Sequence, residues 1–185
     1  MRFAKLAERL PLARQEVLAH ISGPSGSGKT TLAEKLAKKY PGIIFKDLDE
    51  LDEEAVEQLG WGKIRKRNFS DQMLKSLADR RQKLMDEFIL GSSRPIVFVG
   101  IHTEGPYVLN IPTKNRFLLD VDAEESAYRA YKRSQNEEPQ YRRTLAELPG
   151  DITEAQKDID FLLGHGYKPM SLGEISQWID QYSKS

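Results

Sequence analysis

The run Gly23-Pro24-Ser25-Gly26-Ser27-Gly28-Lys29-Thr30 has the spacing G-x-x-x-x-G-K-[ST]. Glycines let the backbone curl until successive N–H groups converge on phosphate oxygens, and a helix that follows adds the positive end of its dipole. Lys29 sets a charge against the outer phosphates, and the Thr30 hydroxyl is of the kind that ligates Mg²⁺. A glycine turn before an ordinary helix would not explain the lysine and the threonine together.

Phosphate chemistry of this kind often enlists an acid at the end of a second buried strand, close to the metal. The candidate strand reads "PIVFVGIHTEG" and ends Gly100-Ile101-His102, with Glu104 the nearest acid. A different acidic pair stands in "IIFKDLDELDEE", where Asp47 and Asp49 are two residues apart and share one side of the chain if extension persists. A carboxylate there can orient or deprotonate an acceptor hydroxyl, or hold the water shell of a metal. Both could equally be the dipole-favoured charges that open the following helix.

Positioning these groups requires a strand, then the loop, then a helix, and the rest of the chain repeats that alternation. Strands are expected at "EVLAHIS", "GIIFKDL", "RPIVFVG", "NRFLLDV" and "YKPMSL". Helices are expected from Thr30 to about Lys39, near Asp52 to Leu59, from Ser70 as N-cap to Leu90, and from Ala123 to Ser134. Thr153-x-x-Gln156 and Ser171-x-x-Glu174 read as capping boxes that open two last helices. Phe3, Leu6, Ala7 and Leu10 share a helical face and read as a short helix over the sheet edge. The polar, proline-interrupted stretch from Ser134 to Gly150 reads as a mobile flap carrying Arg142 and Arg143.

With 185 residues the chain suits a single α/β domain spanning 1–185 with a mainly parallel sheet. Its 28 basic and 28 acidic residues cancel, so no overall field advertises nucleic acid or an anionic membrane, and any anion site must be local. The absence of cysteine excludes a disulfide framework, a thiolate zinc site and a cysteine nucleophile. No secretory signal or membrane span is expected, and a cytoplasmic enzyme, monomer or homodimer, fits. One basic run, Lys63 to Phe69 ("KIRKRNF"), reads as solvated surface, or else as a contact for an anionic acceptor or a nucleic-acid end. Arg81 falls in the middle of the apolar stripe Met73, Leu77, Leu84, Phe88. It therefore needs either an acceptor anion or an internal acid such as Asp47 as partner.

Taken in order, the loop "GPSGSGKTTLAEKLA", the aspartates of "FKDLDEL", the strand "IVFVGI", the "FLLDVDAEESAYRAYKR" strand and helix, and the closing "GYKPMSLGEI" resemble the phosphate-loop kinases. This large group contains nucleoside, nucleotide and small-metabolite kinases, such as those for shikimate and gluconate. The resemblance implies a three-layer α/β/α fold with a five-stranded parallel sheet in the order 2-3-1-4-5 and a lid near 134–150. It also implies ATP with Mg²⁺, and an acceptor bound beside the second strand. On this basis Gly23, Ser25, Gly26, Ser27, Gly28, Lys29, Thr30 and Thr31, with Arg129, are expected to hold ATP. Thr30 and Asp49 are expected at the metal, Asp47 and Arg81 at the acceptor, and Lys29, Asp47, Asp49 and Arg133 in the transfer itself. In these kinases the loop after the fifth strand, here near Tyr167 and Lys168, borders the base, although an ordinary strand role suits both residues better.

The implied activity is transfer of the γ-phosphoryl group of ATP to a small acceptor, a nucleoside or nucleotide among the options. Two rivals remain open: a nucleotide-binding regulatory module without turnover, for which Gly100 speaks, and a kinase acting on nucleic-acid ends through the basic run. Gly100 and the short "HTEGPYVLNIPTKN" link depart from the usual pattern, since the link leaves little space for a long helix.

Overall fold

The computed structural model describes residues 16–62, 68–104, 106–139 and 142–183. The helix expected around Phe3 to Leu10 and the basic residues Lys63 to Arg67 lie outside the described residues. The central strand β1 (Val17–Ser22) is buried along its whole length, as a strand covered on both faces must be. It pairs in parallel with β3 (Ile96–Val99) on one side and β6 (Arg116–Leu119) on the other. β2 (Ile44–Asp47) and β7 (Lys168–Met170) complete the sheet at its two edges. The order is β2-β3-β1-β6-β7, which is 2-3-1-4-5 when only the strands of this sheet are counted.

The intervening β4 (Thr103–Glu104) and β5 (Tyr107–Val108) form a separate antiparallel pair in the link that leaves little space for a long helix. The backbone N–H of Asn110, just beyond it, donates to the Gln82 side chain at 2.8 Å, which ties the exit of this pair to α3 (Asp71–Gly91).

Alternation along the strands sorts the apolar side chains into two layers. Ile21, Val97, Val99, Phe117 and Leu119 meet α1 (Lys29–Lys39) and α6 (Leu172–Tyr182) on one face. Ile96 and Phe98 meet α2 (Leu48–Gln58) and α3 on the other, where Leu118 also meets α5 (Leu148–Gly164). Ile175 and Ile179 of α6 are fully buried, each stabilising the layer by about 1.5–3 kcal/mol. The helix begins where the sequence places it, because the Ser171 hydroxyl and the Glu174 carboxylate cap one another's backbone N–H groups.

The other expected capping box fails. Thr153 lies inside α5, its hydroxyl donating to the Pro149 carbonyl at 2.9 Å, and the helix starts at Leu148. Pro149 is tolerated there because a first-turn residue has no helical partner for its N–H. The expected flap is thereby shortened, since Leu148 to Gly150 belong to α5. α4 runs from Ala123 to Ser134 as expected, opened by the Asp122 carboxylate accepting from the Glu125 N–H.

Candidate active site

The phosphate loop is held from both sides. Ser126 of α4 donates to the Ser25 carbonyl at 2.7 Å, and Arg133, one helix face along, donates to the Ser25 hydroxyl at 3.4 Å. Gly26 packs so tightly on α4 that a Cβ there would fall 2.2 Å from the Ser126 carbonyl oxygen, and its φ of 86° suits glycine alone. At the loop's end the Lys29 ammonium donates to the carbonyls of Gly23 at 2.7 Å and Pro24 at 2.9 Å. Burial pushes its pKa down to about 8, against the pull of the Asp49, Asp47 and Asp158 carboxylates.

Asp47 ends β2 and caps α2. Its Oδ1 accepts the Asp49 N–H at 3.0 Å, while Oδ2 stands 3.5 Å from the Thr30 hydroxyl. The helix-opening role and the site role thus fall on one carboxylate, whose pKa is raised by desolvation. Gly100 explains how it fits. A Cβ at that position would lie 3.2 Å from Asp47 Oδ1 and 3.1 Å from the Leu48 Cβ, at a φ of 127°. A side chain at residue 100 would therefore crowd the Asp47 carboxylate, which comes from the adjacent strand. Asp49 lines the open cleft one step further along.

That cleft has a volume of about 580 Å³ and brings together Ser25 to Thr31, Asp49, Arg129 and Arg133. Its far wall is Leu172 and Ser176 of α6 with Lys35 and Lys39 of α1, so these residues, rather than Tyr167 and Lys168, border the space beyond the loop. Arg129 is exposed and paired with Glu125 on its own helix. Arg142 donates to the Glu137 carbonyl at 2.9 Å, and Arg143 pairs with Asp151 at 2.9 Å.

Arg81 is buried and does not line the cleft, so the structure does not bring it to the expected acceptor position. Its guanidinium donates to the carbonyls of Leu48 at 3.3 Å and Ile101 at 3.1 Å, with Asp52 at 3.8 Å, and so ties α2 to the end of β3. Asp52 is an internal acid that faces it.

Four residues near the loop were not singled out from sequence for the part they play here. His20, buried in β1, lies 2.5 Å from the Tyr167 hydroxyl and 3.0 Å from the Gly100 carbonyl. Burial holds its pKa well below the usual histidine range. Tyr167 in turn stands 3.5 Å from His102, whose pKa burial lowers to about 4. Asp158 of α5 is half-buried, its pKa raised by desolvation. A signal existed for two of them: His20 interrupts an apolar strand, and Asp158 sits in the Ala155, Ile159, Leu162 stripe.

Taken together, a phosphate loop between β1 and α1, a 2-3-1-4-5 parallel sheet and helices on both faces give this chain the fold of the phosphate-loop kinases. Among solved structures it is similar to the shikimate kinase from Acinetobacter baumannii in complex with shikimate, at 18% identity over 91% of this chain and 93% of that one, TM-score 0.51. A gluconokinase from Sinorhizobium meliloti 1021 superposes less closely, at 18% identity over 78% of this chain and 75% of that one, TM-score 0.40. No family model and no curated relative matches the chain. Among the described residues no helix is long and apolar enough to cross a membrane.

Proposed function

We propose that the protein transfers the γ-phosphoryl group of ATP to a small-molecule acceptor bound beside β2. The observation that carries this reading is the Asp47 carboxylate turned toward Thr30 next to the loop lysine, with Asp49 on the wall of the same cleft. A module that only binds nucleotide needs neither acid. Its best support, the glycine at the end of β3, is weakened because the Asp47 carboxylate stands against it.

The loop N–H groups and Lys29 hold the outer phosphates, Lys29 leaving the Gly23 and Pro24 carbonyls to do so. Thr30 and Asp47 suit a magnesium ion, which takes few protein ligands because phosphates and water complete its shell. Such an ion, held by these two side chains, would supply positive charge against the phosphates of the nucleotide. This exchanges the roles expected from sequence: Asp47 backs the metal, and Asp49 faces the acceptor. Asp49 takes the proton of the acceptor hydroxyl as its oxygen bonds to the γ-phosphorus and the bond to ADP breaks. Arg133, already at the loop, stabilises charge on the transferring group, with Arg129 beside it. The segment 135–147 serves as the lid that excludes water.

An acceptor screen over nucleosides, nucleotides and hydroxylated metabolites, followed by ADP release with and without each compound, tests this reading. Acceptor-dependent release supports it. ATP binding without stimulation by any acceptor class would return the protein to a binding module.

A further inference from the structure

Behind the phosphate loop, on the face covered by α5, lies a cavity of about 10 Å³, close to the room one water molecule needs. Ser22, Gly23, His102, Asp158 and Phe161 line it, and Ile101 borders both it and the active-site cleft. Ser22 and His102 are 1% and 3% exposed, yet Ser22 Oγ and His102 Nδ1 have no hydrogen-bond partner. Leaving such groups unsatisfied is costly, which points to a partner at this place.

The hydrogen bonds around His102 decide what that something is. The Gly100 carbonyl can only accept, so His20 Nε2 carries the proton and, the ring being neutral, Nδ1 is an acceptor. Tyr167 must then spend its one proton on His20 Nδ1. Its oxygen is left to accept from His102 Nε2, so His102 Nδ1 presents a bare lone pair to the cavity. Asp158 adds a carboxylate, and Ser22 a hydroxyl that serves either way.

We infer that this cavity binds a hydrogen-bond donor one heavy atom in size, a hydroxyl or ammonium group of the phosphoryl acceptor, held by His102 Nδ1, Ser22 Oγ and the Asp158 carboxylate. The acceptor class is then polyols and amino alcohols, whose second polar group donates, rather than acceptors such as simple hydroxy acids, whose only second polar group is an anion that would meet Asp158. The word acceptor rests on the kinase reading above; the binding chemistry of the cavity does not.

The test is a titration of the full chain, labelled with ¹⁵N at histidine and loaded with Mg²⁺ and a non-hydrolysable ATP analogue. Ethylene glycol, ethanolamine and glycolate are the three probes. The His102 Nδ1 resonance should move upfield, saturably, with ethylene glycol or ethanolamine, whichever of the two binds identifying a hydroxyl or an ammonium head. Glycolate should leave it in place. Asp158→Asn, and Ser22→Ala, which removes one oxygen and nothing else, should each weaken the effective probe by about tenfold. A resonance that neither donor moves marks a resident water and overturns the inference, as do glycolate binding equally well and both variants binding like the wild type. Turnover with hydroxy acids alone would remove the cavity inference and keep the kinase. A successful titration with no turnover on any alcohol would remove the kinase and keep the cavity.

Discussion

The phosphate loop and the cavity behind it sit on opposite sides of Gly23 and treat their polar groups in opposite ways. The loop satisfies itself: Lys29 rests on two carbonyls, and Ser25 is held by Ser126 and Arg133. The cavity leaves Ser22 and His102 unmet, although they are more deeply buried. A group that ends on flexible stems can hold a partner and release it, as the lysine does. One fixed on a strand end or in a packed ring network must wait for its partner to arrive. Ligand binding at the loop would therefore be an exchange of hydrogen bonds, whereas at the cavity it would be a net gain.

The largest effect should come from breaking the loop. Lys29→Ala should lower turnover by about 10³-fold while the melting temperature holds, since the ammonium touches only loop groups. Wild-type turnover in that variant would remove the phosphate-loop assignment.

Next comes the ring network beside the cavity. His20 and His102 are held neutral, with pKa values below those of the unfolded chain, so the unfolded state binds more protons as pH falls through 6.5. Stability should decline from about pH 6.5 toward pH 4, with ~3 kcal/mol of the loss from His102. Urea midpoints at pH 7 and pH 4.5 measure this, and His102→Gln should flatten the dependence. A flat wild-type profile would mean that the rings are not neutral by burial.

Asp47 separates capping from chemistry. Asn caps a helix as well as Asp, so Asp47→Asn should keep the stability and lose about 10²-fold in kcat, whereas Asp47→Ala should also lose ~1 kcal/mol of stability. Equal activity of wild type and Asp47→Asn would leave the residue a cap only.

A smaller effect sharpens the idea of exchange at the loop. Unliganded Lys29 has a pKa near 8, and phosphate favours its charged form, so ATP binding above pH 8 requires proton uptake. Affinity should fall by about tenfold per pH unit from pH 8 toward the lysine's ordinary range. Calorimetry in buffers of different ionisation heat reads the proton, and Lys29→Arg, charged throughout, should be flat. The smallest effect belongs to the exposed Arg129–Glu125 pair, whose charge-neutral double variant should change stability by less than about 0.5 kcal/mol in denaturant titrations.

Local chemistry in the sequence carries much of this structure. Ser70 and Ser171 open helices as hydroxyl caps, Asp122 opens α4, and most of the sheet strands follow short β-branched or apolar runs, because each of these signals acts within a few residues. The same locality misleads where two features share a form. Thr153-x-x-Gln156 has the letters of a capping box, yet the helix already starts at Leu148, with the proline in its first turn. The β4–β5 pair, two residues a side, is too short to show a period.

By itself, then, the sequence determined the phosphate loop, the alternation of strands and helices, and the acidic pair at the end of β2, since backbone geometry and residue spacing suffice for each. Only the tertiary structure decided that Arg81 ties carbonyls inside the fold and that the Asp47 carboxylate stands against Gly100. It alone linked His20 to Tyr167 across 147 positions of chain and set His102 and Asp158 around one cavity. A hydrogen bond or a like-sized void joins residues through space, and no spacing along the chain records which distant partner the packed layers will bring within 3 Å.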